Sequence, residues 1–277
     1  MSRPCETHSI GRLARLARAF LLLSLLSTAC AADTNGWELV WVDEFEGGAL
    51  DQAKWEFEVN GRGGGNGELQ YYTTNNAVVR NGHLVIEARK ERYTGPDGTR
   101  GFTSSRLRTR LKGDWQYGRL DIRAKLPAGR GLWPAIWMLP TDNAYGGWPH
   151  SGEIDIVELV GHEPNRVHGT LHFSKPDGRH TFQGKPFTLT HGDFSQDFHV
   201  FRLEWESGVV RWYVDEQLFQ TQTNWTAKAG KVPAPFDQRF HLLLNLAVGG
   251  QWPGPPDANT KFPQAMVVDY VRVYRRK

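Results

Sequence analysis

Apolar and polar residues alternate in short runs along this chain, and turn residues close each run. His83-Leu-Val-Ile-Glu-Ala88 follows Asn81-Gly82, a dipeptide suited to a two-residue hairpin turn. Arg119-Leu-Asp-Ile-Arg-Ala-Lys-Leu126 alternates cleanly and stops at Pro127. Val200-Phe-Arg-Leu-Glu-Trp205, then Ser207-Gly208, then Val209-Val-Arg-Trp-Tyr-Val214 reads as a second hairpin. His241-Leu-Leu-Leu-Asn-Leu-Ala247 has the composition of a buried strand, and Met266-Val-Val-Asp-Tyr-Val-Arg-Val-Tyr274 that of a closing one. No long segment places apolar residues at helical spacing. Short strands at regular intervals predict an all-β fold, and we read one β-sandwich domain from about residue 36 to the C-terminus.

The first thirty residues fall outside that pattern. Arg3, Arg12, Arg15 and Arg18 precede the apolar run Ala19-Phe-Leu-Leu-Leu-Ser-Leu-Leu26, which ends in small residues at Ser27-Thr-Ala-Cys30. This is the pattern of a bacterial export signal, too short for a membrane span. Leu26-Ser-Thr-Ala-Cys30 also resembles a lipobox, in which Cys30 would carry a lipid anchor; ordinary cleavage near Ala31 or Ala32 is the alternative. The domain organisation expected is a signal over 1–30, a short linker over 31–36 and a folded domain over 37–277.

Separating the leader changes the charge and cysteine arguments. Of 33 basic and 30 acidic residues, four basic and one acidic (Glu6) lie within residues 1–29. The remainder is therefore neutral overall, which gives no support for nucleic-acid binding. Both cysteines, Cys5 and Cys30, belong to the leader or its edge. A disulfide scaffold and a cysteine-ligated zinc site are thereby excluded for the folded part. The whole chain's eleven Trp, eight Tyr and fourteen Phe, with thirty Gly and fifteen Pro, suit an aromatic-rich β fold with many turns.

The chemistry concentrates in Glu153-Ile-Asp-Ile-Val-Glu158. On a strand, Glu153 and Asp155 share one face while Ile154 and Ile156 take the other. Glu158 is out of phase, and a one-residue bulge after Ile156 would bring it back beside the other two acids. Alternating acids are commonly just a solvated face. Against that reading, three carboxylates on one short strand repel one another with no structural gain. Trp133, Trp137 and Trp148 also lie just upstream. Flat aromatic rings suit sugar faces, and paired carboxylates suit glycosidic-bond cleavage.

The hexapeptide resembles the Glu-x-Asp-x-x-Glu signature of glycoside hydrolase family 16, in the bulged form of its laminarinases. Trp41-Val-Asp-Glu-Phe45, Glu68-Leu-Gln-Tyr-Tyr-Thr73, Gly131-Leu-Trp-Pro-Ala-Ile-Trp-Met138 and Asn245-Leu-Ala-Val-Gly-Gly-Gln-Trp-Pro-Gly254 are similar to bacterial laminarinases, in family order. The resemblance covers residues 37–277. It implies a jelly-roll β-sandwich of two curved antiparallel sheets with a concave substrate cleft. It further implies a retaining endo-β-1,3-glucanase with Glu153 as nucleophile, Glu158 as general acid/base and Asp155 assisting the nucleophile.

The same resemblance implies roles for further residues, each with a plainer alternative. Trp133 and Trp137, four apart on one strand face, would be sugar platforms or core residues. Arg106 would bind glucan hydroxyls or be a surface arginine, and His172 would face the cleft or be structural. Asn66 and Glu68 resemble a substrate-contacting loop, with Gly67 where relatives often carry Asn. Trp252 would be a further platform or a packing residue. Glu44, the backbone oxygen of Gly82, and Asp269 resemble the ligands of a structural calcium, or are ordinary surface groups. No cofactor is expected for catalysis. The expected partner is a β-glucan polysaccharide, with no nucleic acid, membrane contact only through an N-terminal lipid anchor, and a monomer. The expected location is exported: extracellular, periplasmic or lipid-anchored. Rival readings are a mixed-linkage glucanase or galactan hydrolase on the same scaffold, a non-catalytic glucan-binding protein, and a structural surface lipoprotein.

Overall fold

Two eight-stranded antiparallel sheets organise residues 36–277, which are those that the computed structural model describes. The expectations for the export signal and Cys30, and nearly all of the linker, lie outside these residues. Among the described residues there is no α-helix, and the only helical turns are the short 3-10 turns Gly63–Gly65 and Thr74–Asn76.

The outer sheet runs Gln217–Gln222, Val209–Val214, His199–Glu206, Gly118–Lys125, Gln264–Arg276, His83–Ala88 and Ala77–Arg80 in spatial order. Gln264–Arg276 is long enough to serve two partners on one side. Its first half pairs with His83–Ala88 and its second half with the opening strand Trp37–Asp43. The inner sheet runs His180–Thr188, Arg166–Ser174, Glu153–Glu158, Leu132–Pro140, Phe240–Val248, Arg106–Arg108 and Glu56–Phe57. Asp114–Trp115 adds a short pairing at the start of Phe240–Val248. Each strand read from apolar alternation is present, with ends shifted by no more than two residues. Asn81-Gly82 forms the two-residue turn between paired Arg80 and His83.

Alternation decides which residues fill the space between the sheets. Leu120, Ile122 and Ala124 face inward from the outer sheet and are fully buried. They meet Ile136, Met138, Leu242, Leu244 and Leu246 of the inner sheet within one apolar cluster. Trp205 and Trp212 are also fully buried there. At about 25 cal/mol per Å2 of apolar surface, each such ring contributes several kcal/mol to burial, and the sandwich needs no disulfide. The opposite face of the inner sheet is left free to carry function.

One contact crosses the core to the acidic strand. Trp212, on the outer sheet, donates its indole N–H to the carbonyl of Asp155 at 2.8 Å. Gly169 makes room for it, since a Cβ there would lie 2.4 Å from Trp212 Cδ1. The carbonyl lies where the inner-sheet pairing is broken, so the indole satisfies an acceptor that would otherwise be buried unpaired.

Candidate active site

The acidic strand is Glu153–Glu158, and its pairing contains the bulge that its phase requires. Toward Leu132–Pro140, Glu158 faces Ala135 and Val157 faces Ile136, but Asp155 faces Trp137, so Ile156 has no partner. Toward Arg166–Ser174, Asp155 faces Thr170 and Glu158 faces His168, leaving Ile156 and Val157 opposite Gly169 alone. Ile156 and Val157 both point into the core, at 3% and 1% exposure. Spending two consecutive residues on the core face returns Glu158 to the cleft face, beside Glu153 and Asp155.

The three acids sit at the floor of a cleft of about 730 Å3. Glu153 and Glu158 line it directly, while Asp155 lies between them at 1% exposure. Each glutamate accepts one indole N–H. Trp148 Nε1 donates to Glu153 Oε2 at 2.7 Å, and Trp133 Nε1 donates to Glu158 Oε1 at 3.0 Å. A neutral donor can stabilise a carboxylate without forcing it to ionise, as a lysine or arginine at the same place would.

Electrostatics follow from that choice of neighbours. Burial, then the charge of Asp155, pushes the Glu153 carboxyl up to about 8. Burial also pushes Asp155 up to about 7, opposed by its hydrogen bond to Glu153. Glu158 is driven well above the ordinary carboxyl range by burial first, then by Asp155 and Glu153. Three adjacent acids, one buried and two lining the cleft, resist ionising together. Burial and mutual repulsion thus favour the protonated form of Glu158 and a shared proton within the Glu153–Asp155 pair.

Most of the remaining residues singled out from sequence gather here. Trp133 and Trp137 both line the cleft, so their four-residue spacing does put them on the open face. Trp137 is braced by Asn245, which accepts its N–H at 2.7 Å. Arg106 lines the cleft with its guanidinium 4.7 Å from the Trp137 ring centre, and pairs with Glu58. Trp252 packs edge-on to Trp133, and Asn66 lies in the cleft wall. His172 also lines the cleft, with Nε2 3.1 Å from Asp155 Oδ2.

Glu68 is a correction. It is 6% exposed, does not line the cleft, and accepts hydrogen bonds from Gln70 at 2.6 Å and Tyr72 at 3.0 Å. Its carboxyl lies under Gly64, where a Cβ would sit 2.0 Å from Oε1. Glu68 therefore supports the glycine loop that carries Asn66, rather than touching a ligand.

Two members of the expected calcium set, Glu44 and Asp269, have cationic partners within the protein. Both oxygens of Glu44 accept from Arg272, at 2.7 and 3.0 Å. Asp269 accepts from Arg123 at 2.6 Å and faces His83 at 3.4 Å. Carboxylates already neutralised by two arginines leave a dication little to gain. Ligand atoms of Glu153, Asp155 and His172 do lie within 4.8 Å of one another, and we assign no metal to them.

Among the cleft residues not assigned to the site from sequence, the ring-bearing side chains are Trp148, noted only as an upstream aromatic, and His168, His180 and Phe182. His168, Thr170 and His172 alternate on the strand beside the acids, a period-two signal that could have placed them on one face. His180 and Phe182 come from the next strand, and only pairing brings them in.

Indole platforms around a dry, mutually repelling pair of glutamates define a glycoside-cleaving site. Comparison with known proteins agrees. The profile of the family described as Glycosyl hydrolases family 16 matches residues 66–272. The chain is similar to a β-glucanase of Rhodothermus marinus, 46% identical over 286 residues that span 97% of this chain and 98% of that protein. Among solved structures it resembles the laminarinase from Rhodothermus marinus, at 48% identity and TM-score 0.78, covering 87% of this chain and 98% of that one. The endo-β-1,3-glucanase from Pyrococcus furiosus is similar at 46% identity and TM-score 0.78, covering 87% and 95%. This chain belongs to glycosyl hydrolase family 16.

Proposed function

We propose that this enzyme hydrolyses internal β-1,3-glucosidic bonds of laminarin-like glucans with retention of configuration. The observation that carries the reading is the bulge that returns Glu158 to the face of Glu153, with Asp155 between them. The names of the relatives, a β-glucanase, a laminarinase and an endo-β-1,3-glucanase, supply the substrate class. Export as a monomer, free or lipid-anchored, is part of the proposal and rests on the leader sequence.

The chemistry follows from the protonation states. Glu158 holds its proton and donates it to the departing glycosidic oxygen. Glu153, as carboxylate, attacks the anomeric carbon, and the C–O bond to the leaving sugar breaks as the glycosyl ester forms. Trp133 Nε1 remains to stabilise the Glu158 carboxylate so produced. Glu158 then takes a proton from water, whose oxygen displaces Glu153 and restores the free acid. Attack requires the proton shared by the pair to sit on Asp155, so that Glu153 carries the charge.

The test is a panel of laminarin, lichenan, agarose and xyloglucan with product sizing, and NMR of the first anomer released. We expect short laminari-oligosaccharides with β configuration. Preference for agarose, or an α first product, would overturn the substrate or the mechanism respectively.

A further inference from the structure

We propose that His180 is a positioning residue that, through His172, places the shared proton on Asp155 and leaves Glu153 as the carboxylate. The inference rests on the hydrolase reading above and deepens it.

The geometry is a ring of contacts around Glu153. His172 Nε2 faces Asp155 Oδ2 at 3.1 Å, and His172 Nδ1 lies 2.8 Å from His180 Nε2. The two imidazoles are almost coplanar, 9° apart, so one N–H points straight at the other ring's lone pair. His180 in turn lies 4.7 Å from the ring of Trp148, whose N–H is bonded to Glu153. His180 comes from the outermost strand of the inner sheet and is exposed, so its remaining nitrogen reaches solvent.

One proton lies between the two imidazoles, and which ring owns it decides what Asp155 meets. If His180 accepts from His172 Nδ1–H, neutral His172 presents a bare Nε2 to Asp155. That lone pair repels a carboxylate and accepts from a carboxylic acid, so Asp155 holds the proton and Glu153 is free to attack. In the opposite tautomer Nε2–H donates to Asp155, holds it as the anion and drives the shared proton onto Glu153, which is then not a nucleophile. Asp155 Oδ2 receives no hydrogen bond of good geometry although it is buried. Its 3.1 Å approach to His172 Nε2 leaves it free to take a proton without losing a bond already made. The transfer is balanced: a proton moves from Glu153 to Asp155 and the electron pair stays on Glu153.

The charged surroundings are compatible. Glu153, Asp155 and Glu158 face His172 from the acidic strand. Behind the hairpin, His150 is bonded to Ser174, the register partner of His180, and Lys228 lies near Gly178. Burial, then His172, keeps the His180 pKa low, so it is neutral and able to accept. A Gln at 180 keeps an acceptor, whereas Phe removes it.

The test compares wild type, His180→Gln and His180→Phe on laminarin across pH 5 to 9. The 15N spectrum of the His172 ring in the unliganded wild type supplies a readout independent of turnover. We expect His172 protonated at Nδ1 in wild type. We expect kcat of His180→Phe about 10-fold lower at pH 6 with the ascending limb moved up by roughly 0.5–1 pH unit, KM within about twofold, and His180→Gln close to wild type. A wild-type spectrum with the proton on Nε2 overturns the proposal, whether or not the variants fold. So does an unmoved pH limb in folded His180→Phe, or a change in KM alone, which would make His180 a sugar contact. Wild type inactive on laminarin but with the Nδ1 tautomer would fault the substrate reading and keep the proton placement.

Discussion

On the outward face of the outer sheet, Asp121 stands between Arg119 and Arg202, whose Nε atoms both donate to its Oδ1, at 2.9 and 2.8 Å. Nearby, Glu206 accepts from Arg211 and Arg276, and Tyr213 donates to Glu204. On the cleft face of the inner sheet, three carboxyl groups stand beside one another, and their nearest basic neighbour is the imidazole of His172. The same alternating strand pattern supports both faces. One spends its charges on neutralising each other, and the other keeps like charges together at a cost in stability. An alternation of acids is therefore uninformative until the partners are known. Acids left without cations in a buried groove are the functional signal.

The largest expected effect removes the uncompensated acids from chemistry. Glu153→Gln should lower kcat on laminarin by about 10^3-fold or more, with folding and glucan binding retained. Glu158→Gln should lose comparably on laminarin but less on an aryl glucoside whose leaving group needs no proton. Near-normal activity of Glu153→Gln would sink the assignment.

Stability should respond in opposite directions on the two faces. Asp121→Asn leaves Arg119 and Arg202 facing each other with half their partner gone, and should cost about 2–4 kcal/mol. For the Glu153–Asp155 pair the folded pKa values lie above the unfolded ones, up to about 8 and about 7, so the native pair binds more protons between about pH 4.5 and 8. Its contribution to stability falls as pH rises through that window. Glu153→Gln removes this penalty, so its Tm advantage over wild type should be near zero at pH 5 and a few degrees at pH 8. Neutral buried His241, held down to about 3 by burial and nearby arginines, destabilises the fold toward acid. It does so in both proteins and cancels from the difference. A Tm advantage that shrinks toward pH 8 would contradict the electrostatic account. Thermal denaturation at four pH values decides it.

Much of this contrast was legible in the sequence, for definable reasons. Strand phase exposed Glu158 as one residue late, which demands a bulge, and the Trp133–Trp137 spacing put two indoles on one face. Both are local, and period two is enough to read them. His180 and Phe182 reach the site by strand pairing, which local alternation does not encode. The indole of Trp212 reaches Asp155 from the other sheet. Glu68 misled because its loop resembles a contacting one, whereas Gln70, Tyr72 and Gly64 turn its carboxyl inward.

That cross-sheet bond carries a smaller expectation. Trp212→Phe keeps the core nearly full but leaves the Asp155 carbonyl unsatisfied at the bulge, at a cost of about 1–3 kcal/mol. Because the bulge sets the Glu158 position, kcat should fall by more than KM changes. An equal loss of stability with unaltered kcat would show that the bulge is held by its pairing alone.

The smallest effect belongs to the neutralised side. The two acids resembling calcium ligands each have cationic partners, Arg272 for Glu44 and Arg123 with His83 for Asp269, and all are partly exposed. Exposed pairs of this kind contribute about 0–1 kcal/mol each. Glu44→Gln should therefore move Tm by no more than about 2 °C, and EDTA should leave it unchanged. A bound dication would behave otherwise, because mass action would add stability that EDTA removes and excess calcium restores. A Tm that falls by several degrees in EDTA and recovers with calcium would mean that Arg272 and Arg123 yield these carboxylates to a metal. The outer face would then share with the cleft the habit of holding acids together for a purpose beyond pairing.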